Sequence, residues 1–210
     1  MIASVVFVIG SYLIGAIPFS YLAGRLLKGI DLREHGSGNL GASNTFRILG
    51  VTPGVVVLLL DIAKGFLPVY TAGRAASSAG LPVHWLTLAC AVAAVLGHMF
   101  SIYLKFSGGK GIATAGGAFL AIQPYALLGS FVVWVVLFST RRIMSLATLS
   151  AAATLPLFVY LSGRLNLWPT HWSYTAVSAV LVVVIFYRHR SNIGRLLAGT
   201  EPALARKKRT

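Results

Sequence analysis

Three short polar stretches interrupt an otherwise apolar chain, and each carries the side chains that an anion would need. The first reads Gly36-Ser37-Gly38-Asn39-Leu40-Gly41-Ala42-Ser43-Asn44, followed by Arg47. Its glycines let the backbone close on a ligand and turn N–H groups inward as a nest for negative charge. Ser37, Asn39, Ser43 and Asn44 add hydroxyl and amide groups, and Arg47 offers a two-pronged fork for phosphate or carboxylate. An ordinary loop with Ser43 or Asn44 capping the next helix would use the same residues. The nearby arginine and the flanking apolar segments favour ligand binding.

The second stretch runs Gly97-His98-Met99-Phe100 and then Phe106-Ser107-Gly108-Gly109-Lys110-Gly111-Ile112-Ala113-Thr114. A GGKG turn that opens a helix combines freed N–H groups, the positive end of the helix dipole and a lysine point charge, which suits phosphate. It is not a Walker A loop, because Gly111 rather than Ser or Thr follows Lys110, and no strand precedes it. ATP hydrolysis is therefore not expected. Lys110 could also be an interfacial lysine reaching for headgroups, and His98 a helix-end residue.

The third stretch, Arg188-His189-Arg190-Ser191-Asn192-Ile193-Gly194-Arg195 with Gly199-Thr200-Glu201 behind it, gathers three arginines, a histidine and an asparagine. Cations flanking a membrane span would account for the arginines but would not require His189 or Asn192. Ser145, after Arg141-Arg142, could bring a hydroxyl to the same site or cap the helix it opens. Asp61 and Lys64 stand one helical turn apart within an apolar segment, where they could form an ion pair or a proton relay.

The elements that position these residues follow from composition. Hydrophobic residues make up 57% of the 210 residues and charged ones 10%, with a mean hydropathy of +0.81. Soluble domains carry about 25% charged residues, so lipid must cover most of this surface. The 18 Lys+Arg against 4 Asp+Glu give a net charge of +14. Such an excess could suggest nucleic acid, but here the bases flank apolar spans and act as topology signals. Cys90 is the single cysteine and lies in an apolar run, which excludes disulfides. Asp31, Glu34 and Glu201 are too few and scattered for an oxygen-ligated metal site. The apolar N-terminus lacks a basic leader and a cleavage site, and reads as a first span.

Spans are expected at roughly 2–24, 50–71, 84–104, 143–162 and 172–188, from about 20 apolar residues each. The stretch between Lys110 and Arg141 is too long for one span and is interrupted by Gln123-Pro124. Splitting it into two short helices keeps Arg141, Arg142 and the tail cations Arg206, Lys207, Lys208 and Arg209 on the same side as Arg25, Lys28 and Arg33. The expectation is an all-α integral membrane protein of about seven transmembrane helices, N-terminus outside and C-terminus cytoplasmic. Residues 1–201 form one polytopic domain and 202–210 a short basic tail near anionic headgroups. The three polar stretches then face the cytoplasm around one cavity, where an anion from water meets a ligand from the bilayer.

In this order along the whole chain, GSGNLGASN…R, GH-x-F…F-x-GGKG-x-AT and RH-x-x-NI-x-RL-x-x-G-x-E resemble the three motifs of the bacterial acyl-phosphate:glycerol-3-phosphate acyltransferases. Ser43 stands where that family often has Thr. The resemblance implies a seven-helix enzyme of the bacterial cytoplasmic (inner) membrane. It would move a fatty acyl group from acyl phosphate to the 1-hydroxyl of glycerol 3-phosphate, giving 1-acyl-glycerol 3-phosphate and phosphate at the start of phospholipid synthesis. Acyl phosphate is a mixed anhydride, so the hydroxyl can attack directly without an acyl-enzyme. The His-x-x-x-x-Asp dyad of other glycerolipid acyltransferases is absent.

On this resemblance Ser37, Arg47, Lys110, His189 and Asn192 are the catalytic group. Gly36, Gly38, Asn39, Asn44, His98, Gly108, Gly109, Gly111, Ser145, Arg188 and Glu201 are substrate-binding, with no metal and no cofactor. The expected partners are the two substrates and membrane lipid, with no nucleic acid, and the chain is expected to act as a monomer. The acceptor of the hydroxyl proton stays open among His189, His98 and a substrate phosphate, since neither histidine has an evident carboxylate beside it in sequence. A transporter would favour internal repeats and a site at the midplane, and neither is visible, although Asp61 and Lys64 would suit one. A scaffold with lipid-clamping loops would explain the cations but not GSGNLGASN or GGKG.

Overall fold

The structure is a computed structural model that describes residues 2–203, so the expected cationic tail at Arg206, Lys207, Lys208 and Arg209 lies outside the described residues. Among the described residues the chain is all helical: α1 Ile2–Ala16, α2 Phe19–Lys28, α3 Ala42–Leu49, α4 Val51–Ser78, α5 Val83–Met99, α6 Ile112–Ile122, α7 Pro124–Arg141, α8 Met144–Arg164, α9 Trp172–Arg188 and α10 Arg190–Leu197. Five segments are long and apolar enough to cross a membrane: Ile2–Lys28, Val51–Ser78, Val83–Leu104, Pro124–Arg141 and Met144–Arg164. The pair α9–α10, bent by 67°, makes a sixth, and α6 is a shorter apolar helix. The protein is an integral membrane protein, and the spans expected from hydropathy are present as helices. The expected interruption at Gln123-Pro124 is also observed, with Pro124 opening α7.

The chain divides into two compact units, one ending at Ile122 and the other starting at Gln123. In the first, α1 lies on α5, and α4 on α5 and α6. Lipid gives no hydrophobic drive between helices, so close backbone approach must hold them. Glycine supplies it twice. A Cβ on Gly15 would fall 2.2 Å from the Ala94 carbonyl, and one on Gly97 2.2 Å from that of Tyr12. On α4 and α6, a Cβ on Gly65 would meet the Thr114 carbonyl at 2.0 Å and one on Gly117 that of Ile62 at 1.9 Å.

The first span breaks at Ile17-Pro18, because Pro18 has no N–H to continue the ladder. Carbonyls there are capped from elsewhere in the unit: Ser101 Oγ, in the turn after α5, donates to Ala16 O at 2.6 Å and Lys64 Nζ, on α4, to Ile17 O at 2.8 Å. Buried backbone acceptors within a bilayer require such partners. In the second unit α8 lies between α7 and α9. Gln123, fully buried, donates from Nε2 to Pro169 O at 3.0 Å, and Trp134 Nε1 on α7 donates to Thr148 Oγ1 on α8 at 3.3 Å.

Candidate active site

The first loop is held from within. Asn44, on the buried face of α3, accepts from Ser37 N at 2.9 Å and donates to Leu32 O and His35 O, each at 3.0 Å. The sequence offers Asn44 as a ligand donor or helix cap, but its amide is engaged in folding the loop. The cap position is Gly41, with no side-chain cap. Gly36 has φ +64°, and a Cβ there would collide with Asn44 Oδ1 at 2.4 Å, so glycine is required. Asp31 anchors the loop's entry, accepting from the backbone N–H of Arg33 and, at 2.6 Å, from its guanidinium. That hydrogen bond holds the Asp31 carboxyl below its usual range. Ser37, Ser43 and Arg47 are exposed, Asn39 half-buried. Ser43 and Arg47, four residues apart on α3, share its open face.

The second stretch folds back on the end of α5. Gly109 N donates to His98 O at 3.0 Å. A Cβ on Gly108 would strike that same carbonyl at 2.1 Å, and one on Gly109 would meet Leu40 O at 2.1 Å and His98 Nε2 at 2.2 Å. The GGKG turn therefore rests directly on the first loop and on the His98 ring. Gly111 takes φ +79° and packs on Met99, and the half-buried Lys110 stands just ahead of the start of α6. A small pocket is lined by Ser20, Leu40, Asp61, Lys64, His98 and Gly109, among others.

Asp61 and Lys64 form a buried ion pair at 2.8 Å, which realises the pairing that their spacing allows. His98 Nδ1 lies 3.1 Å from Thr114 Oγ1 and 3.7 Å from Asp61 Oδ1. The carboxylate that sequence spacing hides from His98 is thus supplied from α4, 37 residues upstream (98 − 61).

The second unit carries the third stretch. Buried His189, at the α9–α10 bend, places Nδ1 2.8 Å from Ile185 O. A carbonyl only accepts, so Nδ1 carries a proton, and in the neutral form of the ring the lone pair is then on Nε2. Gly199, at φ +68°, turns the chain so that Thr200 N returns to Arg195 O at 2.8 Å. Glu201 then accepts from Asn192 Nδ2 and Arg195 Nε, each at 2.6 Å. Burial pushes the Glu201 carboxyl up, but the nearby Ser145 hydroxyl and the bonds from Asn192 and Arg195 outweigh it and hold it below the usual range. The buried Ser145 hydroxyl lies beside that carboxylate without a bond of good geometry. Arg188 is half-buried at the end of α9.

The structure thus brings together Gly36, Ser37, Asn44, His98, Gly108 and Gly109 in one unit, and Ser145, Asn192 and Glu201 in the other. Sequence reasoning counted Arg195 among the cations of the third stretch but left it out of the catalytic and substrate-binding residues. The Gly199-Thr200-Glu201 turn, which returns a carboxylate to it, was the available signal. The link from Asp61 to His98 had none, since the two lie on different helices.

Residues 5–199 match the family model described as glycerol-3-phosphate acyltransferase. The chain is 40% identical over 208 residues to the glycerol-3-phosphate acyltransferase of Halalkalibacterium halodurans, covering 97% of this chain and 96% of the relative. It is 43% identical over 194 residues to glycerol-3-phosphate acyltransferase 2 of Moorella thermoacetica, covering 92% and 94%. Its backbone is similar to the crystal structure of PlsY, an integral membrane glycerol 3-phosphate acyltransferase, in its glycerol 3-phosphate form, with a TM-score of 0.86, 40% identity and 97% and 96% coverage. The lysophosphatidic acid form of PlsY matches with a TM-score of 0.84, 39% identity and the same coverage.

Proposed function

Because the chain belongs to the glycerol-3-phosphate acyltransferase family, we propose that it transfers a fatty acyl group from acyl phosphate to the 1-hydroxyl of glycerol 3-phosphate. The products are 1-acyl-glycerol 3-phosphate and inorganic phosphate. One observation carries the choice of an activated phosphate donor. The glycine turn at Gly108-Gly109 is packed on backbone with no room for a Cβ, and it places Lys110 at the start of a helix, where phosphate is favoured. A donor that leaves as phosphate suits such a site.

In this reading the residues bind and orient rather than form a covalent intermediate. The nest of the first loop, Ser37 and Arg47 hold one phosphate-bearing group, and Lys110 and the GGKG amides stabilise the charge that develops on the leaving phosphate. His189, protonated at Nδ1, and Asn192, oriented by Glu201, complete the proposed catalytic group. The hydroxyl oxygen bonds to the acyl carbon, the carbon–oxygen bond to phosphate breaks, and the proton passes to His189, to His98 or to a substrate phosphate. Relatives solved in glycerol 3-phosphate and lysophosphatidic acid forms support the acceptor and the product. Cations flanking the spans support seven crossings, with the N-terminus outside and these segments at the cytoplasmic face of the inner membrane.

The test is direct. Purified protein given palmitoyl phosphate and glycerol 3-phosphate, in chelator and without acyl-CoA or acyl carrier protein, should release phosphate and lysophosphatidic acid in equal amounts. Turnover only with a thioester donor would overturn the donor assignment.

A further inference from the structure

A buried ion pair adds little stability over two apolar side chains of similar size, so stability alone does not account for Asp61 and Lys64, whose side chains are each 3% exposed. Their contacts do. Lys64 joins Asp61 to the Ile17 carbonyl at the break in the first span. Asp61 faces His98 Nδ1 at 3.7 Å, and Thr114 Oγ1 holds the same nitrogen at 3.1 Å. His98 carries the GGKG turn twice, through its carbonyl to Gly109 N at 3.0 Å and through its ring, on which Gly109 lies without space for a Cβ. Gly109 in turn lies against Leu40 of the first loop.

We infer that Asp61 is a positioning residue: its carboxylate, balanced by Lys64, holds the His98 ring as the seat on which the GGKG turn and the first loop are set against each other. The inference rests on the proposed function in taking that turn to hold a substrate phosphate. Asp61 touches no reacting atom, and its effect reaches the site through His98 and Gly109. With no side chain at Gly109 to absorb a shift, a rotated His98 ring displaces the turn's amides and Lys110 behind them. Displacements of about 1 Å in such groups cost up to about a hundredfold in rate.

The double variant Asp61→Leu/Lys64→Met removes both charges and leaves neither buried alone. The Ile17 carbonyl keeps the Phe19 N–H as its donor at 3.2 Å, so the variant should stay folded in detergent, with an unfolding temperature lowered by a few degrees. Its kcat should fall about tenfold or more, while KM values change less than about threefold, since the amides and Lys110 that meet the charge developing on the leaving phosphate are what move. A second readout is independent of turnover. With Cys90→Ala and Ser107→Cys as background, maleimide should label Cys at 107 several-fold faster when Asp61 and Lys64 are replaced. A folded double variant with unchanged kcat and an unchanged labelling rate would overturn the inference. If it does not fold, Asp61→Glu keeps the pair and moves the carboxylate by one methylene. The same fall in kcat and rise in labelling are then expected, and their absence would be equally decisive. Wild-type protein that transfers no acyl group would defeat the proposed function, while labelling would still decide whether Asp61 seats the turn.

Discussion

Asn192 Nδ2 donates to Glu201 Oε1 at 2.6 Å, and a carboxylate can only accept, so Glu201 dictates which way the Asn192 amide faces. Glu201→Gln presents an N–H₂ to at least one of the two donors it now receives. We expect kcat/KM to fall about 10- to 100-fold, as the Asn192 amide is lost to the wrong orientation. The pH dependence has a definite sign. The folded carboxyl is held below its ordinary value, so its contribution to stability is fully present above the unfolded carboxylate range, near about pH 4.3. It is lost as pH falls through the lower folded value. Unfolding temperatures of wild type and Glu201→Gln should therefore converge only below about pH 4. A difference that persists unchanged to pH 3 would rule out Glu201 as the titrating group.

Arg47 is exposed on α3 and Lys110 half-buried ahead of α6, so truncating either removes charge from the site without opening a core. Arg47→Ala and Lys110→Ala should each reduce kcat/KM by about 10²- to 10³-fold, the scale of losing one charged donor to a transition state. Unfolding temperature should move by no more than a few degrees for Arg47→Ala. Arg47→Lys should recover little, because a lysine cannot reproduce the planar fork. Steady-state kinetics on the three variants check this, and wild-type activity in both alanine variants would dismantle the site.

The spans, the break at Gln123-Pro124 and the three polar stretches were legible because they depend on local properties: apolar length, a proline, and glycine next to cations. Glycines at 36, 109 and 199 also announced their turns. What the sequence could not show is which polar side chains face inward to build the loops. Asn44 looks like a ligand donor, yet its amide binds three backbone groups. Asp61 and His98 lie on separate helices, α4 and α5, each packed on a further helix by close approach, Gly65 against Thr114 and Gly97 against Tyr12. Contacts of that kind depend on helix approach to a fraction of an ångström, which no periodicity encodes.

His189 separates two roles by atom. Nδ1 donates to Ile185 O, a bond that Asn in its place can imitate, whereas Gln extends further, toward the region of Nε2. If the ring works through its Nε2 lone pair, His189→Asn should fold and lose about 10²- to 10⁴-fold in kcat, the usual scale for a general base. Near-wild-type turnover in His189→Asn would assign the residue to the α9–α10 bend alone. Circular dichroism and unfolding temperature of the same preparation confirm that the fold is intact.

Glycine contacts between helices predict a position-dependent cost for adding one methyl. At Gly65 and Gly117 the new Cβ would fall 2.0 and 1.9 Å from backbone carbonyls, which cannot rotate away as a side-chain end can. Gly65→Ala and Gly117→Ala must therefore force α4 and α6 apart, and each should destabilise the protein by about 1–3 kcal/mol. Gly10 meets nothing within 4 Å, so Gly10→Ala should be neutral or slightly stabilising through better helix propensity. Because separation of α4 from α6 also moves Asp61 away from Thr114 and His98, activity in Gly65→Ala should fall by more than the lost folded fraction explains. Measuring unfolding temperature and kcat/KM together on the three variants checks both halves, and equal stability across them would refute the packing account.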